Sequence, residues 1–473
     1  MTYVYDILLV AYIVIVTATI IAVLLDNKQP AKTIAWLMVL IFIPVIGWLL
    51  YVFFGQNVRK QRLMSQRSID QLTKRSMMEY DVQGDLRLPE KVEPLVRLFA
   101  NLNVALPFKD NQTQVLSDGY AFTYALLKAF AQAKSHIHLE TYIIEDDPLG
   151  NLIADALIAK AREGVEVRLV YDDVGCWKVK ERFFERMRDE GIDIHAFMPV
   201  RFPAFTSKVN YRNHRKLCVV DGKTGFIGGM NIALRYVKGD GKQTWHDIHL
   251  RIEGGGVYAI QRAFLVDWYF VDRTLLTQRR FYPPVAEHLR SDCVMQVVTS
   301  SPIAPWPEIM QGYARMISQA QKYVYIETPY FLPTEIILFA LQTAAHAGID
   351  VRLIVPRRSD AKLAEWASRS YLLEAMDAGV KVYLYGAGFN HSKMMVSDDL
   401  VATVGSTNVD FRSFENNFEA NAFFYDEDMA LRLKCAFLSD LQDCEPLTPN
   451  QLLNRPITRR IFEGVVRLLS PLL

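Results

Sequence analysis

Two stretches of the chain carry the same chemically active side chains at the same spacing. The first is His214-Arg215-Lys216-Leu217-Cys218-Val219-Val220-Asp221, followed by Gly228-Gly229-Met230-Asn231. The second is His391-Ser392-Lys393-Met394-Met395-Val396-Ser397-Asp398, followed by Gly405-Ser406-Thr407-Asn408. If each H-x-K lies on a strand, its His and Lys share a face. Two such strands brought together make a pocket with two imidazoles and two ammonium groups, and a phosphodiester anion is its natural guest. The lysines neutralise the nonbridging oxygens, most strongly as the transition state forms. One imidazole attacks phosphorus while the other, protonated, donates to the leaving alcohol. A phosphohistidine results, which a second alcohol then attacks. Gly228, Gly229 and Gly405 permit close backbone approach, and the amides of Asn231 and Asn408 can donate to phosphate. Asp221 and Asp398 stand at an odd offset from their histidines, so on a regular strand they face away from the pocket and read as scaffold that fixes the turn.

The elements around these motifs also come twice. HIHLETYII (136–144), NLIADALIAKAREG (151–164), VEVRLVYDD (165–173) and GIDIHAFM (191–198) precede the first motif. YVYIETPYF (323–331), EIILFALQTAAHAG (335–348), IDVRLIVPR (349–357) and GVKVYLYG (379–386) precede the second. Glu140 and Glu327 are 187 residues apart and His214 and His391 are 177 apart, as a duplication with one insertion gives. The extra residues fall in 199–213, where Phe202 and Phe205 stand among Arg201, Lys208 and Arg212; this loop is a candidate lipid contact at the pocket mouth. Short β-branched runs alternating with amphipathic ones that end at Gly164 and Gly348 predict an α/β fold of two pseudo-symmetric halves with mixed, largely parallel sheets. The expected divisions are 1–56, 57–105, 106–290 and 291–473.

The N-terminal quarter differs in kind. Residues 7–25 and 34–54 are two charge-free apolar runs of about 20 residues, each long enough as a helix to cross a ~30 Å hydrocarbon layer. They predict a transmembrane hairpin. Arg59, Lys60, Arg62, Arg67, Lys74 and Arg75 follow with Asp70 as the only acid between 58 and 75, which places residues 58 onward in the cytoplasm. The basic stretch 57–82 reads as a headgroup-facing helix or a solvated linker. With 53 Lys plus Arg against 52 Asp plus Glu, the net charge of +1 argues against a nucleic-acid binder held by bulk charge. Five cysteines without a C-x-x-C spacing make a disulfide framework or zinc site improbable. No H-x-x-x-H or carboxylate pair stands at ligand spacing, so neither metal nor cofactor is expected. His136, His138, His246 and His249 read as structural.

On these motifs the chain resembles the phospholipase D superfamily, whose members carry paired H-x-K-x4-D with a downstream G-G/S-x-N. The run 30–55 is similar to the anchor of bacterial cardiolipin synthases. The resemblance implies that His214, Lys216, Asp221, His391, Lys393 and Asp398 form the catalytic signature, with His214 as nucleophile and His391 as acid. It also implies that Gly229, Ser406, Asn231 and Asn408 meet the substrate. Each histidine needs a carboxylate to set its tautomer. Asp247 and Glu419 are the downstream candidates, at about the distance where superfamily members place an acid; Glu140 and Glu327 are candidates to line the pocket. The implied activity is transfer of a phosphatidyl group from one phosphatidylglycerol to another at the bacterial inner membrane. The alternatives are a hydrolytic phospholipase D, a nuclease of the same motif and a silent membrane scaffold. A homodimer is compatible with the sequence, which does not fix an oligomeric state.

Overall fold

The computed structural model describes residues 2–26, 30–43, 45–55, 72, 88–103, 105–200, 210–241, 243–291 and 293–471. Two helices open it, α1 (Thr2–Asp26) and α2 (Pro30–Phe42). Val23, Leu40 and Tyr51 pack together there, and Trp36 meets Tyr51 edge-on at 5.4 Å. The second apolar run is not one helix. It stops at Phe42, resumes over Ile46–Leu50 and ends in a wider π winding over Tyr51–Gly55. The break brackets Pro44, which lacks the N–H that a continuing helix needs. Ile7, Val10 and Leu25 of α1 are exposed, and several other α1 side chains lie outside the described set. Among the described residues, no helix is long and apolar enough to cross a membrane, so the expected two-span hairpin has no support from the structure. The basic stretch 57–82, apart from Leu72, lies outside the described residues, as do Arg201, Phe202, Phe205 and Lys208 of the insertion.

The rest of the chain forms two sheets with one plan. The first has seven strands: β1 (Asn111–Leu116), β2 (His136–Thr141), β3 (Glu166–Asp172), β4 (Asp193–Phe197), β5 (Leu217–Val220), β6 (Thr224–Gly228) and β7 (His249–Gly254), in the order β1-β7-β6-β5-β2-β3-β4. The second contains β8 (Met295–Ser300), β9 (Tyr323–Glu327), β10 (Asp350–Pro356), β11 (Lys381–Tyr385), β12 (Met394–Ser397), β13 (Val401–Gly405), β14 (Asn417–Phe424) and β15 (Cys444–Pro446), in the order β8-β14-β13-β12-β9-β10-β11-β15. Strand for strand, β8 to β14 repeat β1 to β7. The expectation of largely parallel sheets is corrected here. Of the strands just named, those that pair parallel with one another are β2-β3-β4 and β9-β10-β11. The motif strands and those after them pair antiparallel. Helices α3 (Pro148–Arg162) and α4 (Glu335–His346) cross between the parallel strands. Gly164 and Gly348 follow them at φ 88° and 85°, the left-handed backbone that a helix end needs and that glycine adopts without strain.

Three large apolar clusters hold these layers together. One lies on the outer side of each sheet. The third takes residues from both halves, Leu217, Ile227 and Trp268 from one and Val396, Val404 and Phe418 from the other. It includes α5 (Gly256–Asp272) and α6 (Glu427–Gln442), which follow β7 and β14. The halves therefore share a core, and whatever sits at their junction is held by both.

Asp221 and Asp398 close the motif strands at the end away from the histidines. Both are left-handed, at φ 55° and 57°. The Asp221 carboxylate accepts from the backbone N–H groups of Lys134, Ser135 and His136 at 2.8 to 2.9 Å. That of Asp398 accepts from Gln321, Lys322 and Tyr323 at 2.7 to 3.0 Å. Each ties the start of β2 or β9 to its neighbour, a different place from the imidazole cluster. Asp221→Ala strands three donors and is expected to lower unfolding free energy by about 1–3 kcal/mol in urea titration; unchanged stability would show that the turn does not need it.

His136 and His138 on β2 and His249 on β7 are fully buried in this framework. Burial above all pushes His136 down to about 4 and His249 down to about 3, and holds His138 well below its usual value. The unfolded chain protonates these rings from about pH 6.5 downward, where the folded chain keeps them neutral. Their contribution is whole above pH 6.5 and is lost as pH falls toward 3–4. The melting temperature is expected to drop steadily between pH 6.5 and 4.5, and a flat profile would contradict neutral burial.

Candidate active site

Two short parallel strand pairs stitch the halves together next to the motifs. Arg212–Asn213 pairs with Asn417–Phe418, and Trp245–His246 pairs with Phe389–Asn390. Each motif histidine continues its pair with one more backbone bond. His214 N–H donates to the Phe418 carbonyl at 2.9 Å, and His391 N–H donates to the His246 carbonyl at 2.7 Å. The assigned motif strands begin only at Leu217 and Met394. The H-x-K residues therefore precede the strands on which the alternation argument placed them, because their backbone pairs with the opposite half.

This stitching sets the partners of the rings. Phe418 stands beside Glu419 and His246 beside Asp247, so each histidine meets the carboxylate of the other half. His214 Nδ1 lies 3.1 Å from both Glu419 oxygens, and His391 Nδ1 lies 2.7 Å from Asp247 Oδ2. The Ser406 carbonyl is also 3.0 Å from His214 Nδ1. Both Nδ1 atoms are thus committed to acceptors, and Nε2 is the nitrogen left on each ring for a ligand. A Cβ on Gly229 would stand 2.1 Å from Asp247 Oδ1, so that glycine makes room for the carboxylate. Ser406 Oγ donates to Glu419 Oε2 at 2.5 Å. Gly229 and Ser406, expected to meet substrate, serve the two acids in this structure.

The lysines are buried beside the rings. Lys216 Nζ donates to the His214 carbonyl at 2.6 Å and lies 5.2 Å from the Tyr142 ring centre. Lys393 Nζ donates to the His391 carbonyl and stands 2.9 Å from His391 Nδ1 and 3.6 Å from Asp247. Burial lowers both lysines, against the opposing pull of Glu419 on Lys216 and of Asp247 on Lys393. Burial lowers His214, and it drives His391 down to about 3 with help from the Lys393 charge. Burial alone would raise the two acids. Lys393 and His391 hold Asp247 below the usual carboxylate range, and His214 and Lys216 do the same for Glu419. The charges of both halves act on each other across one small volume.

The remaining expected residues support this cluster from behind. Asn231 accepts from Ile143 N–H and donates to the Tyr236 hydroxyl at 2.9 Å. Tyr236 Oη is in turn 3.2 Å from His391 Nδ1. Asn408 donates to Asp410 at 3.0 Å. Both side chains expected to donate to phosphate therefore have protein partners. Glu140 accepts from Asn213 at 2.5 Å and Glu327 from Asn390 at 3.0 Å, so these acids hold the residue before each histidine. Sequence reasoning missed Asn213, Asn390, Tyr142 and Tyr236. For the first two a signal existed, since both motifs read N-H-x-K. The tyrosines carry none, because only the fold brings them to the rings.

Residues 126–253 and 313–441 match the family described as cardiolipin synthase, PLD-like domain, and residues 9–56 match the phospholipase D-nuclease N-terminal family. The major cardiolipin synthase of Bacillus subtilis is 38% identical over 473 residues, 98% of each chain. Cardiolipin synthase 2 of Bacillus anthracis is 40% identical over 460 residues, covering 95% of this chain and 88% of that one. Among solved structures, phosphatidylserine synthase of Haemophilus influenzae superposes with a TM-score of 0.62 at 17% identity, over 80% of this chain and all of that one; this likeness concerns the fold. The chain belongs to the cardiolipin synthase family of phospholipase D-like proteins.

Proposed function

We propose that the crossed cluster transfers a phosphatidyl group from one phosphatidylglycerol to another, giving cardiolipin and glycerol. The observation that carries this is the pairing of each motif histidine with the other half's acid, next to two buried lysines, in a chain about 40% identical to cardiolipin synthases over nearly its whole length. With both imidazoles neutral, Lys216 and Lys393 formally balance Asp247 and Glu419. A phosphodiester adds one buried negative charge, and protonation of one imidazole restores the balance. Substrate binding thus favours the acid–base state that the reaction needs: one neutral Nε2 to attack phosphorus and one Nε2–H to protonate the departing glycerol oxygen. The Glu419 and Asp247 carboxylates hold the opposite ring nitrogens and stabilise whichever imidazolium forms. The lysines bind the nonbridging oxygens as charge grows on them. In the second step the ring that gave up its proton takes one from the hydroxyl of a second phosphatidylglycerol, whose oxygen attacks phosphorus while the bond to the phosphohistidine nitrogen breaks. Exchange of one phosphodiester for another needs no external energy source.

We place the N-terminal segment at the cytoplasmic membrane, with residues 58 onward on the cytoplasmic side. The exposed apolar side chains of α1 and the basic flank that follows α2 support this. The divisions 1–56, 57–105, 106–290 and 291–473 are proposed as the anchor, its basic linker and the two halves.

Purified full-length protein in phosphatidylglycerol vesicles is expected to yield cardiolipin and glycerol, resolved by mass spectrometry, with His214→Ala and His391→Ala each inactive. Phosphatidic acid as main product would favour hydrolysis. Glu419→Gln, although in the second half, is expected to lower kcat by about 10²–10⁴-fold and to move the acidic limb of the pH profile downward, because His214 loses the group that raises its basicity. An unchanged limb would contradict the crossed pairing.

A further inference from the structure

Behind the second motif lies a cluster that the reaction does not use. His246 from the strand before β7, Glu327 at the end of β9 and Asp440 on α6 each offer one donor atom, and the three atoms lie within 4.8 Å of one another. His246 Nε2 is 2.7 Å from Asp440 Oδ2. Glu327 is 1% exposed; its Oε2 accepts from Asn390, and its Oε1 is buried without a hydrogen-bond partner. The side chains of His246 and Asp440 keep 19% and 12% exposure, which leaves a path from solvent.

The first half shows what this place holds when it is permanently filled. There Glu140 and Asp267, the counterparts of Glu327 and Asp440, are accompanied by Arg215, whose guanidinium donates to Asp267, to the Ser300 carbonyl and to the Glu419 carbonyl. A guanidinium is charged at every accessible pH and cannot bind a metal. In the second motif Ser392 stands where the first has Arg215, and the Ser392 hydroxyl is also buried without a partner. The fixed cation is missing, and an imidazole, which can ligate, has come to the carboxylates instead. We propose that His246, Glu327 and Asp440 form a binding site for one divalent transition cation of the zinc or manganese class.

One imidazole nitrogen and two carboxylate oxygens are donors suited to such ions. Two donors each ~2.1 Å from zinc are at most ~4.2 Å apart, so a small inward closing brings the three onto one ion. Fully deprotonated, the cluster carries two negative charges, which either two protons or one divalent ion cancels. The ion ties together the two elements that position His391, since the His246 carbonyl accepts from His391 N–H and Glu327 holds Asn390.

The test is zinc titration of the full-length protein in detergent by calorimetry at pH 7.5. One saturable ion per chain is expected. Asp440→Asn and Glu327→Gln should weaken it at least tenfold, and His246→Arg, which supplies the fixed cation of the first half, should abolish it. X-ray absorption of the zinc-loaded wild type needs no variant to fold, and should show one imidazole among oxygen donors. Absence of saturable binding, undiminished binding in Asp440→Asn, or two or more imidazoles or a sulfur on the zinc would overturn the proposal.

Discussion

The whole arrangement depends on two backbone hydrogen bonds that cross from one half to the other. His214 reaches Phe418 and His391 reaches His246, and the residue after each acceptor is the acid that holds the ring. Neither motif histidine draws its carboxylate from its own half. Formation of the shared apolar core and formation of the site are therefore one event. This also settles an energetic problem. Two lysines, two acids and two imidazoles are buried together, and each charge would be costly alone. Crossing gives each imidazole an opposite carboxylate within 3.1 Å and sets Lys393 3.6 Å from Asp247, and the cluster is formally neutral until an anion enters.

The duplicated plan is kept where the chemistry needs symmetry and altered where it does not. Asp221 and Asp398 clamp equivalent turns, and Glu140 and Glu327 hold equivalent asparagines. The sharpest departure is Arg215 against Ser392. One half has a fixed guanidinium locked onto the Asp267 carboxylate. The other has a titratable imidazole contributed by its partner. The two motif histidines consequently sit in unlike surroundings: His391 has Lys393 against its ring nitrogen, whereas His214 has both oxygens of Glu419 and the edge of Tyr142 at 4.9 Å. A difference in basicity between the two rings is thus built into nearly equal halves, and such a difference separates an attacking ring from a donating one.

Much of this was legible in the residues because local rules governed it. The repeat, the helix ends at Gly164 and Gly348, and the turn-clamping place of Asp221 and Asp398 follow from periodicity, glycine freedom and odd-offset alternation. What failed depended on partners far along the chain. The His and Lys pairs were placed on strands, but their backbone pairs across the junction. The sheets were expected largely parallel, yet the returning strands after each motif run antiparallel. The carboxylates were found by type and distance, while the crossing of their partners has no signature in a single half. His246, Glu327 and Asp440 were invisible together for the same reason, since no ligand spacing links residues from three separate elements.

The central claim is that both imidazoles act on one phosphorus atom held between the halves. A crystal structure of the protein with orthovanadate tests it most directly, since the ion adopts the five-coordinate geometry of the transfer. The account predicts a single vanadium with Nε2 of one motif histidine as an axial ligand. Nε2 of the other should lie within hydrogen-bonding distance of the opposite axial oxygen, with Lys216 and Lys393 on the equatorial oxygens. Vanadate bound by one histidine alone, with the other ring directed elsewhere, would contradict it.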